Sequence, residues 1–272
     1  MTREQAVSFL LDHPVDYAHL LGFDKLTDLH NGWIREMVSG KEDKTLQAHR
    51  GSYKTTCVSV SLALIVILLP NCRTLFMRKT DTDTKEVMTQ VSNILKHPAT
   101  RYFAQCIYGV DMILTKDTST EISTNLCRDV KGTSQLTSRG IKGSLTGKHF
   151  DLIFTDDIVN LEDRRSRAER DYTKAVYQEL QNLINRGGRI FNTGTPWHKE
   201  DAFTLMPNIT RYDCYSTGLI SKEKLADLRQ RMEAALFAAN YELKHIASDD
   251  LLFFEPITGA DPALVEQGLA HV

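Results

Sequence analysis

Residues able to do phosphate chemistry gather at separate places in the chain. The first is Thr45-Leu46-Gln47-Ala48-His49-Arg50-Gly51-Ser52-Tyr53-Lys54-Thr55-Thr56, followed at once by the apolar segment Cys57 to Leu69. A short strand, a turn containing Gly51, Lys-Thr and then a helix is the order that a phosphate-binding loop requires. Loop N–H groups and the positive end of the helix dipole would face the anion. Lys54 adds a point charge at the β and γ oxygens, and the Thr55 hydroxyl can hold Mg²⁺. Aligned on Lys54, the two glycines of the usual G-x-x-x-x-G-K-[ST] pattern fall at Ala48 and Tyr53, with Gly51 displaced inward. A plain strand, turn and helix with a surface lysine would look much the same, so the reading needs a second signal.

That signal is Phe150-Asp151-Leu152-Ile153-Phe154-Thr155-Asp156-Asp157, an apolar strand ending in paired carboxylates. Ligands of parallel α/β sheets bind at the carboxyl ends of strands, the same crevice as the loop. There Asp156 would hold Mg²⁺, usually through water, and Asp157 would polarise the water that attacks a γ-phosphate. A solvated turn after a strand is the bland alternative. Because glutamate is more usual in the second role, Glu162 is a reserve. A third signal, Thr193-Gly194-Thr195-Pro196, closes a further strand with a small hydroxylic turn that can sense hydrolysis beside the γ-phosphate.

Around these stretches the periodicity predicts short helices over residues 1–40, the last from about Asp24 to Val38. The run Arg73 to Met77 reads as a strand, followed by a helix from about Thr82 to Lys96. The Thr-, Ser- and Gly-rich span from Arg101 to Gly147 reads as strands and loops at a sheet edge. A polar helix from about Ser166 to Ile184, strands at Gly188–Thr193 and Arg211–Tyr215, and a helix from about Lys222 to His245 complete the pattern. Strands alternating with helices predict an α/β fold with a mainly parallel, doubly wound sheet. Expected divisions are a helical lead-in over 1–40, a phosphate-binding core over 41–215 and a helical lid or linker region over 216–272.

Composition narrows the class. The 272 residues are 42% hydrophobic and 25% charged, an ordinary globular balance. A net charge of −2 leaves no global nucleic-acid signature, so any DNA contact must be local. Basic clusters at Arg78-Lys79, Lys142–Lys148 and Arg164-Arg165-Arg167 are where phosphates could be met. Scattered cysteines without a Cys-x-x-Cys pair predict reduced thiols. The apolar run Leu62–Leu69 is too short for a bilayer span of roughly 20 residues, and no membrane association is expected.

Together these motifs resemble those of the large terminase subunits of tailed bacteriophages, whose ATPase domain drives genome packaging. Arg50-Gly51-Ser52-Tyr53-Lys54-Thr55-Thr56 is similar to that family's deviant Walker A, and Asp151–Ile158 to its Walker B. Gly194-Thr195-Pro196-Trp197-His198, with Asp201 beyond, is similar to its coupling motif, and Ser138-Arg139-Gly140-Ile141-Lys142-Gly143 to a further segment. The likeness covers about Trp33 to Asp201 and implies a P-loop NTPase fold of the ASCE/RecA-like type. It implies that Arg50, Gly51, Ser52, Tyr53, Lys54, Thr55 and Thr56 bind ATP, that Thr55 and Asp156 hold Mg²⁺, and that Asp157 is the catalytic carboxylate. Thr193, Gly194 and Thr195 would couple hydrolysis to movement. Arg139 would be an arginine finger reaching a neighbour's nucleotide, with Arg128, Arg164, Arg165 and Arg167 as rivals.

The implied partners are double-stranded DNA, a portal protein and a small terminase subunit, in a homo-oligomeric ring in the host cytoplasm. Family members carry a nuclease domain. Here Asp249, Asp250 and Glu255 sit in no strand framework, so no nuclease activity is expected. Two other readings stay open: another P-loop DNA-dependent ATPase of helicase-like character, and a nucleotide-binding assembly module that does not hydrolyse.

Overall fold

The computed structural model describes residues 1–143 and 147–245. The chain opens with three short helices, each started by local chemistry: α1 (Arg3–Asp12) by a Thr2/Gln5 capping box, α2 (Pro14–Leu20) by Pro14, and α3 (Asp28–Ser39) by a Thr27/His30 box. Strand β1 (Lys44–Ala48) then runs into α4 (Lys54–Leu68). Helix α4 buries almost every residue, so it has no polar face; its apolar run is core rather than membrane span. No helix among the described residues is long and apolar enough to cross a membrane.

Next come β2 (Thr74–Arg78), α5 (Asp81–Lys96) and α6 (Pro98–Tyr108). Helix α6 corrects the strand-and-loop expectation for residues from Arg101 onward. Pro98 opens it, and Thr100, Phe103, Ala104 and Ile107 repeat at helical spacing on its buried face. Strands β3 (Leu114–Asp117), β4 (Glu121–Thr124), β5 (Leu136–Gly140) and β6 (Phe150–Asp156) follow. Then come α7 (Leu161–Arg165), α8 (Arg167–Leu183), β7 (Ile184–Gly194) and β8 (Ile209–Tyr212). The expected last helix is broken into α9 (Lys222–Arg231), α10 (Ala234–Phe237) and a π-helical turn over Ala238–Glu242. The break falls at Met232, which is extended, and Glu233, which is not helical, and the turn closes at Leu243 with φ +56°. Asp249, Asp250 and Glu255 lie outside the described residues.

The sheet has 8 strands in the order β3-β4-β5-β2-β6-β7-β1-β8. Strands β5, β2, β6, β7, β1 and β8 are mutually parallel, and the β3–β4 hairpin adds an antiparallel margin. Thus β5 lies inside the sheet, not at its edge. Alternate residues face opposite layers: Phe76, Phe154 and Phe191 join the core under α1 to α6, while Leu75, Met77, Ile153 and Ile190 pack beneath α8. The fold is therefore α/β and doubly wound. It brings the carboxyl ends of β6, β7 and β1 side by side.

Candidate functional site

Between β1 and α4 the chain turns through His49 to Tyr53. Gly51 (φ +81°) and Tyr53 (φ +61°) both adopt the left-handed conformation. Tyr53 occupies the position where a glycine would be free of strain, at a cost of roughly 1–2 kcal/mol. The loop, the α4 N-terminus, Asp157, Val159, Asn160, Thr195, Trp197 and Asn240 line a cavity of about 390 Å³. Lys54 is buried and turned inward, its Nζ donating to Ala48 O (2.8 Å) and His49 O (3.4 Å). Ser52 Oγ is buried at the same wall and has no partner among the described residues, a donor that an anion would satisfy.

Thr55 Oγ1 donates to Asp156 Oδ2 (3.0 Å), and Thr193 Oγ1 donates to Asp156 Oδ1 (2.6 Å). Asp156 is fully buried; burial first, and the Asp157 charge second, raise its pKa above the usual carboxylate value. Arg78, at the end of β2, faces both acids. Its Nε lies 3.2 Å from Asp156 Oδ2 without hydrogen-bond alignment, and Nη2 lies 3.6 Å from Asp157 Oδ2. Asp157 is 38% exposed and left-handed (φ +48°), held by its N–H to Thr193 O at 3.0 Å. Gly194 makes this possible, because a Cβ there would meet Asp157 Oδ1 at 3.3 Å and the Phe203 ring at 2.9 Å. Thr195 Oγ1 reaches back to Ala48 O (3.3 Å), tying the end of β7 to that of β1.

The oxygen pair Thr55 Oγ1 and Asp156 Oδ2 suits a hard divalent cation. Mg²⁺ typically takes one or two such protein ligands and completes its shell with phosphate and water. No group of three or more His, Cys, Asp or Glu residues able to hold a metal occurs among the described residues. The residues present therefore fit Mg²⁺ bound together with a phosphate ligand.

Two buried histidines brace the loop, and neither was singled out by the motifs. His30 in α3 contacts Ser52 O through Nε2 (3.0 Å), and His49 contacts Arg50 O through Nδ1 (2.9 Å) and Thr217 Oγ1 through Nε2 (2.7 Å). Burial lowers the pKa of both, against the backbone hydrogen bonds that raise it. Folding therefore favours the neutral rings. That stability is complete above the unfolded value near about 6.5 and is lost as pH falls through the lowered folded values. The melting temperature should accordingly fall between about pH 7.5 and 5.5, before carboxylates titrate. The fall should be smaller in a His49→Gln variant; an unchanged or rising melting temperature would refute the assignment.

The structure thus brings Arg50, Gly51, Ser52, Tyr53, Lys54, Thr55, Thr56, Asp157 and Thr195 to one cavity, with Asp156 and Thr193 directly behind. Arg139 is elsewhere: it is the last residue but one of β5, and its Nη1 donates to Ser138 O (2.7 Å). None of Arg128, Arg139, Arg164, Arg165 and Arg167 lines the cavity, and neither does Glu162. Arg78-Lys79 is not a DNA-facing patch; Arg78 meets the acid pair and the buried Lys79 pairs with Asp163 at 2.7 Å. Asn240, missed in the sequence, reaches the cavity from the π-helical turn, and its carbonyl accepts the Arg50 N–H at 2.7 Å.

Among solved structures, the chain is similar to the large terminase ATPase domain of Thermus phage P74-26, at 12% identity and TM-score 0.57, covering 85% of this chain and 98% of that one. It is similar to the HK97 bacteriophage large terminase at 11% identity and TM-score 0.56, covering 90% of this chain and 56% of that one. The large terminase of a further thermophilic bacteriophage, solved in complex with ATP-γ-S, matches at 11% identity and TM-score 0.52, over 78% of this chain and 52% of that one. The chain thus spans about half the length of the latter two. No family model matches the sequence, and no curated protein matches it. At these identities the likeness establishes the fold alone, the one that those terminase structures share.

Proposed function

We propose that this chain is the ATPase motor of a viral large terminase, hydrolysing ATP to move double-stranded DNA into a procapsid. The observation that carries the reading is the single cluster of Lys54, Thr55, Asp156, Asp157 and Thr193 at adjoining strand ends, in a fold shared with terminase ATPase domains. In this reading the N–H groups of the loop and of the first turn of α4 receive the phosphates. Lys54 swings from Ala48 O toward the β and γ oxygens. Thr55 and Asp156 would hold Mg²⁺, which would supply positive charge against the phosphates. Asp157, at the cavity wall, orients the attacking water and accepts its proton. Departure of the γ-phosphate is felt by Thr193 and Thr195, which contact Asp156 and Ala48, and passes along β7.

The remaining parts of the proposal concern assembly. The chain works in a homo-oligomeric ring in the host cytoplasm, with a portal protein and a small terminase subunit. Arg139, outside its own cavity, supplies charge to a neighbour's nucleotide.

The test is steady-state Mg²⁺–ATPase activity with and without DNA, over a range of protein concentrations, for wild type and Lys54→Ala. Loss of a charge-assisted contact worth about 1.5–3 kcal/mol should lower kcat/KM roughly 10- to 150-fold. Turnover per subunit should rise with concentration. ATP binding without turnover would instead indicate an assembly module. Turnover indifferent to Lys54 would remove the site.

A further inference from the structure

The helical lead-in does more than pack beside the sheet. We infer that His30 is a positioning residue for nucleotide binding: from behind the loop it fixes the Ser52–Tyr53 peptide so that the Tyr53 N–H is presented to a phosphate. This rests on the nucleotide-binding reading above and assigns α3 a part in it.

The hydrogen bonds determine the ring's state. Thr27 N–H donates to His30 Nδ1 (2.8 Å), so Nδ1 is an acceptor and the proton lies on Nε2. Nε2 therefore donates to Ser52 O at 3.0 Å. The imidazole is completely buried, and its edge-on contacts with Trp33 (5.0 Å between centroids) and Tyr53 (6.1 Å) leave it little freedom. One ring thus caps the first turn of α3 and grips the loop.

The consequence follows from peptide geometry. In a planar trans peptide the C=O and N–H point in opposite directions. With Ser52 O drawn back to His30, the N–H of the same peptide, that of Tyr53, points away from α3. Tyr53 itself lines the cavity, and its N–H has no acceptor among the described residues. Without the bond from His30 the peptide could rotate, and the strained left-handed Tyr53 would have every reason to relax. A phosphate would then have to restore the geometry from its own binding energy.

Two substitutions separate this role from a merely structural one. A glutamine amide nitrogen can stand where Nε2 stands, so His30→Gln can keep the bond to Ser52 O. His30→Asn has an acceptor for Thr27 N–H but is too short to reach Ser52 O. The dissociation constant of Mg·ADP, read with a fluorescent ADP analogue, should rise about tenfold or more in His30→Asn and stay within about threefold in His30→Gln, as expected for one hydrogen bond. Equal affinity for wild type and His30→Asn would overturn the inference, as would a folded His30→Gln as weak as His30→Asn. A measurement on the wild type alone covers variants that do not fold. Adding Mg·ADP should shift the ¹⁵N resonances of the Tyr53 amide and the His30 ring together, and an unmoved His30 ring would refute the coupling. If wild type bound no nucleotide, the functional reading itself would fall.

Discussion

Asp157→Asn is expected to lower ATP turnover about 10²- to 10⁴-fold, the range that a positioned general base contributes, while KM barely changes. The structure separates the adjacent acids by environment. Asp156 is buried behind the cavity wall with a threonine hydroxyl on each of its oxygens, a setting that suits a metal ligand rather than a base exposed to the attacking water. Asp157 reaches the cavity because its backbone turns left-handed, a conformation costing about 1 kcal/mol or more that the Thr193 carbonyl and the space left by Gly194 sustain. An asparagine preserves that shape and removes only the basic oxygen. Single-turnover and steady-state assays on the folded variant check this. If Asp157→Asn were active while Glu162→Gln was dead, the base would be Glu162, which is exposed in the first turn of α7 and would have to move to reach the cavity.

Those elements whose identity is written locally were readable in the sequence. The Lys-Thr that opens α4 and the apolar strand that ends in Asp156-Asp157 each carry their own order of residues. Parallel pairing of β6, β7 and β1 follows from strand–helix alternation. What escaped depends on distance along the chain. His30 lies 22 residues from the carbonyl it grips, and Lys79 lies 84 residues from Asp163. Nothing in the residues near Arg78-Lys79 distinguishes a buried cation from one waiting for a DNA phosphate. Residues from Arg101 were misassigned for a different reason: their β-branched and small neighbours further on masked the helical repeat of Phe103, Ala104 and Ile107. Tyr53 shows the converse. It stands where the usual pattern has glycine, yet the structure keeps the glycine-like backbone and braces the ring against His30.

Asp163→Ala should cost about 3–5 kcal/mol, because it leaves the buried Lys79 ammonium with only the more distant Glu169 carboxylate, 3.6 Å away, as a counter-ion. Asp163 is fully buried and Lys79 is 5% exposed. Lys79 Nζ donates to Asp163 Oδ2 (2.7 Å) and Thr173 Oγ1 (2.9 Å); Thr173 Oγ1 donates to Asp163 Oδ1 (2.7 Å), and Asn160 N–H donates to Oδ2 (2.9 Å). This carboxylate therefore joins the residue after β2, the start of α7 and the side of α8. For a domain of this size the loss corresponds to a melting temperature lower by roughly 6–20 °C. Replacing both partners, as Lys79→Met with Asp163→Leu, should recover much of it, since neither member of the close pair is then left without the other and Glu169 keeps Lys142 at 3.6 Å. Thermal melts of the single and double variants decide the matter; a single-variant cost below about 1 kcal/mol would mean that water reaches the pair as it does at a surface. The effect should not stop at stability. Lys79 follows Arg78, the cation facing Asp156 and Asp157, so a β2 end no longer anchored by Asp163 would carry Arg78 away from the acid pair. The double variant should therefore regain melting temperature more fully than turnover, because an apolar contact fills the space without fixing the strand end as the hydrogen bonds do.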